Sequence, residues 1–358
     1  MIQEKIKHSV LKIIDEYIEK IIEKYPHMNR SDLYNLYWDY GNHNKIKSKI
    51  NLGLCCINNT LRQSKPTIFN SRSCTRATFS VEKAKHLSLQ NVKDLIPMIE
   101  WNEKNNIKCF RLSSNIYPHF TDTETISYTI DHTKNDLKKA GDLIKKYTHR
   151  VLMHPGQYNQ VAAQSEVILQ KTILELDHHA SILEAMGIDN NGVLIVHGGG
   201  MYGDKIETKK RWVEQYFKLP KRVQNRLVIE NCEKCYSLED VIEISQNIAK
   251  RGGNLPIVFD SHHYECYSLL HPNNIQKSLN KLLPLVIQSW KERKPVMHIS
   301  QQGSGRCGHH SDFITHLPDY FLNIPHKYNK SFDLEIEAKA KEMAIFRLYD
   351  KYPSLFQN

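Results

Sequence analysis

The sequence predicts an α/β chain closed into a TIM-type (β/α)8 barrel behind an N-terminal helical extension. Three observations carry that expectation. Eight short apolar runs alternate with segments of helical periodicity. The runs are nearly continuous in apolar residues, as strands buried on both faces of a parallel sheet must be, whereas a half-exposed sheet would alternate. Almost every run ends in or near a residue able to hold a metal or a phosphate, and a barrel brings its strand ends to one face.

Taken in chain order, residues 1–50 form the extension. Ile6, Val10, Ile13, Ile14, Tyr17 and Ile21 recur at helical spacing and lead into a segment rich in Tyr, Asn and Lys. A helix docked on the barrel is the preferred reading, contact with DNA or a membrane surface the other. Residues 51–358 are expected to form the catalytic barrel; barrels of this kind use about 250 residues as one domain.

The predicted strands are NLGLCCIN (51–58), KCFRLSS (108–114), RVLMHPG (150–156), GVLIVHGG (192–199), RLVIEN (226–231), PIVFDSHH (256–263), PVMHIS (295–300) and SFDLEIEA (331–338). Between them, Leu89, Val92, Leu95, Ile96 and Ile99 share a helical face. So do Leu137, Ala140, Ile144 and Tyr147, and then Leu169, Ile173, Leu176, Ala180 and Leu183. Residues 60–85 interrupt the first unit and predict a large loop above the barrel. Arg62, Lys65, Arg72 and Arg76 in that loop could contact phosphates without reading sequence, although a solvated loop fits them equally well.

Composition narrows the partners. Lys and Arg number 49 against 39 Asp and Glu, a net charge of +10, which points to an anionic partner such as nucleic acid. No apolar run approaches the roughly 20 residues that span a bilayer, so a soluble protein without a membrane partner, acting as a monomer, is expected. Eight cysteines without a secretory signal predict reduced thiols inside a cell; nuclear, cytoplasmic and virion-associated locations all stay open. Cys232 and Cys235 form a lone CxxC with no second pair at finger spacing, which argues against a structural zinc site.

The chemistry is expected at the strand ends. Asn58, His119 shortly after the second strand, His154, His197, Glu230, Asp260 with His262 and His263, His298 and Glu337 would converge there. A core needs apolar groups, so repeated strand-final imidazoles and carboxylates are poorly explained by packing. Mixed nitrogen and oxygen donors suit manganese or zinc, and the set is large enough for two or three divalent ions. Such clusters suit phosphodiester hydrolysis, though metal-dependent sugar isomerases use similar residues. In HPGQY (154–158), Gln157 could hydrogen-bond a base edge and Tyr158 could stack on a base, with a plain Pro-Gly turn as the alternative. HGGG (197–200) is no esterase motif, because the chain has no GxSxG, and it lacks the GK[ST] of a phosphate loop.

These residues also resemble the UV damage endonuclease family, a relative of endonuclease IV. The resemblance is carried by LGLCCIN with TLR, SLQNVKDLIPMIEWN leading into FRLSSNIYPH, and HPGQY, VHGGG, IEN, FDSHH, MHIS, HHSDF and EAKAKE, in one order across residues 52–343. It implies a barrel carrying up to three manganese or zinc ions that cuts damaged double-stranded DNA 5′ to cyclobutane dimers, 6-4 photoproducts and abasic sites. By motif, His154, His197 and Glu230 would hold one ion. Glu230, Asp260, His298 and Glu337 would hold a second, and His263 with His310 a third. Glu230, Glu337 and His119 would be the catalytic groups, and Gln157, Tyr158 and Asn58 would face the lesion. Two positions depart from the family pattern: Leu54 stands where a tyrosine is usual, and Val296 where the family has a lysine that can be carboxylated, with Lys294 as a conceivable substitute. A pure abasic-site endonuclease, a sugar isomerase and a non-enzymatic lesion-binding protein are the competing expectations.

Overall fold

A computed structural model describes residues 49–356 together with Glu19 and Glu23. The helical extension predicted over 1–50 therefore lies outside the described residues, apart from those two glutamates, Lys49 and Ile50.

Eight parallel strands close into a barrel in sequence order. They are β1 (Ile50–Cys55), β2 (Cys109–Leu112), β3 (Arg150–Met153), β4 (Leu194–His197), β5 (Leu227–Glu230), β6 (Ile257–Asp260), β7 (Val296–Ile299) and β8 (Phe332–Ile336). Closure is made by β1 on β8, from Ile50 opposite Phe332 to Leu54 opposite Ile336. All eight predicted strands exist, and each is shorter than its apolar run. The clearest case is 256–263: the ladder stops at Asp260, and the helix Ser261–Leu270 starts at once because the Asp260 carboxylate accepts from the His263 amide at 2.7 Å. Asn58 likewise leaves the first strand and caps the short helix Asn59–Arg62. The helical run at 89–99 is divided by Asp94 into helices Val81–Lys93 and Leu95–Lys104.

Alternation along the strands separates two cores. Leu52, Leu54, Phe110, Val196, Ile229, Phe259, Met297 and Leu334 pack with the surrounding helices. Cys109, Leu152, Val193, Ile195, Val228, Val258, Val296 and Trp290 form a second cluster in the lumen. Leu54 is fully buried among the outward-facing residues, so a side chain there packs under helices and does not present itself to substrate. The departure at Leu54 thus falls in the packing between β1 and the helices.

The lumen also holds charge, in layers. Lowest lies Asp333, paired with Arg150 at 3.0 Å and with Lys294 at 2.6 Å. Glu335 and Arg111 come next, and Glu337 lies beyond the strand end. Asp333 and Glu337 are four residues apart, roughly 13 Å at 3.3 Å per residue. Lys294 is thus tied to the far end of the barrel from the predicted metal ligands and does not substitute for the lysine missing at Val296. Unpaired charges would be costly at this depth, and here each carboxylate meets a cation.

Candidate metal centre

The carboxyl ends of β3 to β8 bring seven of the predicted donors together. Three sets of three have donor atoms within 4.8 Å of one another: His154, His197 and Glu230; Glu230, Asp260 and His263; and Asp260, His298 and Glu337. The sets are linked, the first to the second by Glu230 and the second to the third by Asp260. Register places the ligands side by side, with His197 opposite Glu230 and Asp260 opposite His298.

Glu230 is the hub. One of its oxygens lies 2.9 Å from His154 Nε2 and 3.9 Å from His197 Nε2; the other lies 3.1 Å from His298 Nδ1 and 3.3 Å from His263 Nδ1. Burial opposes its ionisation, but His298, His197, His154 and His263 outweigh that and hold its pKa well below the usual range. Burial pushes the His197 imidazole down to about 4, which leaves it neutral and able to donate a lone pair. Glu337 is likewise kept ionised, burial opposing and Arg111 and His298 favouring the charge.

The donors fit divalent ions by an independent criterion. Asp260 Oδ2, 3.9 Å from His298 Nδ1, is buried without a hydrogen-bond partner among the described residues, an arrangement that costs free energy unless something else satisfies it. His263 does not pair with His310 in any of these sets: it joins Glu230 and Asp260, while His310, partly exposed, reaches Glu337 Oε2 at 3.8 Å. None of the three sets contains a cysteine, and Cys232 and Cys235 are free thiols.

His119 lies outside the donor sets. Its Nε2 is 2.7 Å from the Cys74 carbonyl and its Nδ1 3.2 Å from Asp122, so both ring nitrogens are engaged. It lines a cavity of about 620 Å³ between the β2 and β3 loops, together with Arg76, Asp122, Tyr158 and His178. His119 follows β2 on the loop that lines this cavity, and it joins none of the three donor sets.

At the rim, Gln157 and Tyr158 are exposed, Tyr158 at 67%. The Tyr158 hydroxyl donates to Glu175 at 2.9 Å, and the ring crosses Gly156 so closely that a Cβ there would come within 2.4 Å of it. The loop therefore holds an aromatic face out to solvent in one orientation. Asn58 is instead 1% exposed, with its amide oxygen accepting from the Leu61 amide. Arg72 is bound to Asp94 at 2.7 Å and to the carbonyls of Phe69 and Thr67. Arg76 pairs with Asp122 and Glu124, and Arg62 is exposed over the Phe69 ring. Of the four basic loop residues, Arg62 and Lys65 are the ones the structure leaves exposed without an ion pair among the described residues.

Sequence reasoning missed Glu175, Arg111 and Glu335. A signal existed for the last two: DLEIE at 333–337 alternates acids with apolar residues, and Arg111 stands as a lone cation in an otherwise apolar strand.

The family model described as UV-endonuclease UvdE matches residues 50–357. The chain belongs to the UV-endonuclease family. Membership makes it an endonuclease, and the match spans the whole barrel. A relative from Acanthamoeba polyphaga mimivirus is 34% identical over 313 residues, 85% of this chain and 91% of that one. The UV-damage endonuclease of Schizosaccharomyces pombe is 34% identical over 320 residues, 84% of this chain; the chain spans half the length of that relative. The crystal structure of SacUVDE superposes with a TM-score of 0.73 at 29% identity, covering 86% of this chain and 99% of that one. Endonuclease IV from Thermus thermophilus shares the fold, with a TM-score of 0.51 at 12% identity, covering 86% of this chain and 99% of that one.

Proposed function

We propose that this family member repairs DNA by hydrolysing the phosphodiester backbone immediately 5′ to UV photoproducts, both cyclobutane dimers and 6-4 photoproducts, and to abasic sites. The observation that carries this reading is the linked donor array, three sets joined through Glu230 and Asp260, at the mouth of a barrel whose family is described as UV-endonuclease. Two or three manganese or zinc ions are the cofactors it would take. Bound there, such ions lower the pKa of a water and neutralise charge on the reacting phosphate.

The chain's own residues supply the remainder. His154, His197 and Glu230 would hold one ion; Glu230, Asp260 and His263 a second; Asp260, His298 and Glu337 a third. Tyr158, with its ring braced by Glu175 and Gly156, offers a stacking face, and Gln157 beside it offers an amide for a base edge. A damaged step costs less to unstack, so this rim can favour lesions without reading sequence. Arg62 and Lys65 are available to phosphates, and Arg76 would join them by exchanging its two carboxylates for a phosphate. Damaged double-stranded DNA is the partner, and a monomer suffices because one chain carries every donor. Among the described residues no helix is long and apolar enough to cross a membrane.

The test is nicking of end-labelled duplexes carrying one thymine dimer, one abasic site or no lesion. Cutting 5′ of both lesions with the intact duplex spared is expected. Cutting at the abasic site alone would replace this reading with that of an abasic-site endonuclease.

A further inference from the structure

We propose that Arg111 and Glu335 are positioning residues for the metal centre, a buried pair in the lumen that sets the orientation of His298 and Glu337. The inference rests on the metal-centre reading and extends it to residues that belong to none of the three donor sets. Glu335 is fully buried and Arg111 8% exposed. Arg111 Nε donates to Glu335 Oε2 at 2.9 Å, and its Nη2 lies 2.7 Å from the same oxygen while also donating to Glu337 Oε1. One planar guanidinium thus spans a donor carboxylate and a non-donor carboxylate, which fixes the depth of the donor.

Glu335 Oε2 lies 3.0 Å from His298 Nε2, off the ring's N–H axis. With that edge of the imidazole occupied, Nδ1 is turned to the other side, 3.1 Å from Glu230, 3.5 Å from Glu337 and 3.9 Å from Asp260. Glu335 therefore acts on His298 as a charge in close contact, which favours one placement of the ring and raises its basicity. Room for Glu335 is built into the neighbouring strand. Gly53 lies opposite it in register, a Cβ at Gly53 would come within 3.2 Å of Glu335 Cγ, and Cys55 Sγ meets Glu335 Oε1 at 3.8 Å.

A pair with a merely structural role behaves differently from a positioning pair when both charges are removed together. Replacing a buried ion pair with apolar residues of similar volume is often neutral or stabilising, whereas removing one partner strands the other charge. The decisive protein is therefore the full chain carrying Arg111→Met and Glu335→Met together. Its thermal midpoint, its manganese affinity in competition with a chelator, and its kcat and KM for nicking are compared with wild type. The expected result is a folded protein whose manganese affinity is about 10–100-fold weaker, with kcat lowered and KM little changed. Wild-type affinity and kcat in the folded double variant overturn the proposal. Should that variant not fold, Arg111→Lys and Glu335→Gln decide: a loss of roughly tenfold in affinity supports positioning, and unchanged affinity in both overturns it. Wild-type protein that takes up no manganese would instead sink the metal-centre reading itself, so the two failures are distinguishable.

Discussion

Replacing Glu230 by Gln removes the charge at the hub while keeping its shape. The carboxylate lies within 2.9–3.9 Å of four imidazoles and belongs to two of the three donor sets, so one substitution weakens two sites at once. A bound ion contributes several kcal/mol to the transition state, and a loss of about 4 kcal/mol is about a thousandfold in rate at 1.36 kcal/mol per decade. Docking on DNA depends on cations distributed over the surface, so affinity for a damaged duplex should change by less than about threefold. Breaking a buried charge pair also costs about 3–5 kcal/mol of stability, so circular dichroism must show that the variant is folded. Single-turnover nicking with saturating manganese, beside a gel shift on the same duplex, reads both effects. Cleavage within tenfold of wild type by folded Glu230→Gln would refute the assignment of Glu230 as a shared ligand.

Three further outcomes are expected. Gly156→Ala places a methyl group where the Tyr158 ring lies, so discrimination between dimer-containing and intact duplex should fall while metal content holds; unchanged discrimination would remove Tyr158 from the reading. Leu54→Tyr should add no lesion preference and should lower stability by about 1–3 kcal/mol through overpacking in a denaturant melt, whereas a gain in dimer cleavage would give that position a part in probing the lesion. Burial pushes the His178 imidazole, stacked on Phe120, well below its ordinary 6.5. Its folded pKa lies below the unfolded one, so its share of stability is complete above pH 6.5 and declines as pH falls below that, by at most about 1.4 kcal/mol per pH unit. His178→Phe should melt with a shallower acid dependence between pH 6.5 and about 5, and parallel curves would show that His178 does not titrate on unfolding.

The architecture was legible because parallel barrel strands are apolar throughout, a pattern that composition alone can mark. Strand ends were less legible, since an apolar run continues past the last ladder hydrogen bond, as at 256–263, where Asp260 turns the chain into a helix. That His154, His197, Glu230, Asp260, His263, His298 and Glu337 would come together was legible, because imidazoles and carboxylates at strand ends have few roles in packing. The surroundings of His119 were not legible, because it lies on the loop after β2, where partners such as Cys74 and Asp122 are set by the loop's path. Side-chain pairing across strands stayed hidden. Nothing in one sequence says that Arg72 is taken up by Asp94, that Lys294 answers Asp333, or that Arg111 reaches two acids of the β8 segment. Register decides the contact of Arg111, and the paths of loops and helix ends decide the other two, neither of which is written in the local sequence.

If the linked donors hold ions that the reaction requires, nicking must come and go with those ions. The measurement is metal content per chain of the purified protein, taken with nicking of a thymine-dimer duplex before chelation, after chelation and after readdition of manganese. Two or three ions per chain, loss of nicking on chelation and its return with manganese, with the cut immediately 5′ of the dimer, are predicted. Full nicking by protein stripped to well under one ion per chain would contradict it.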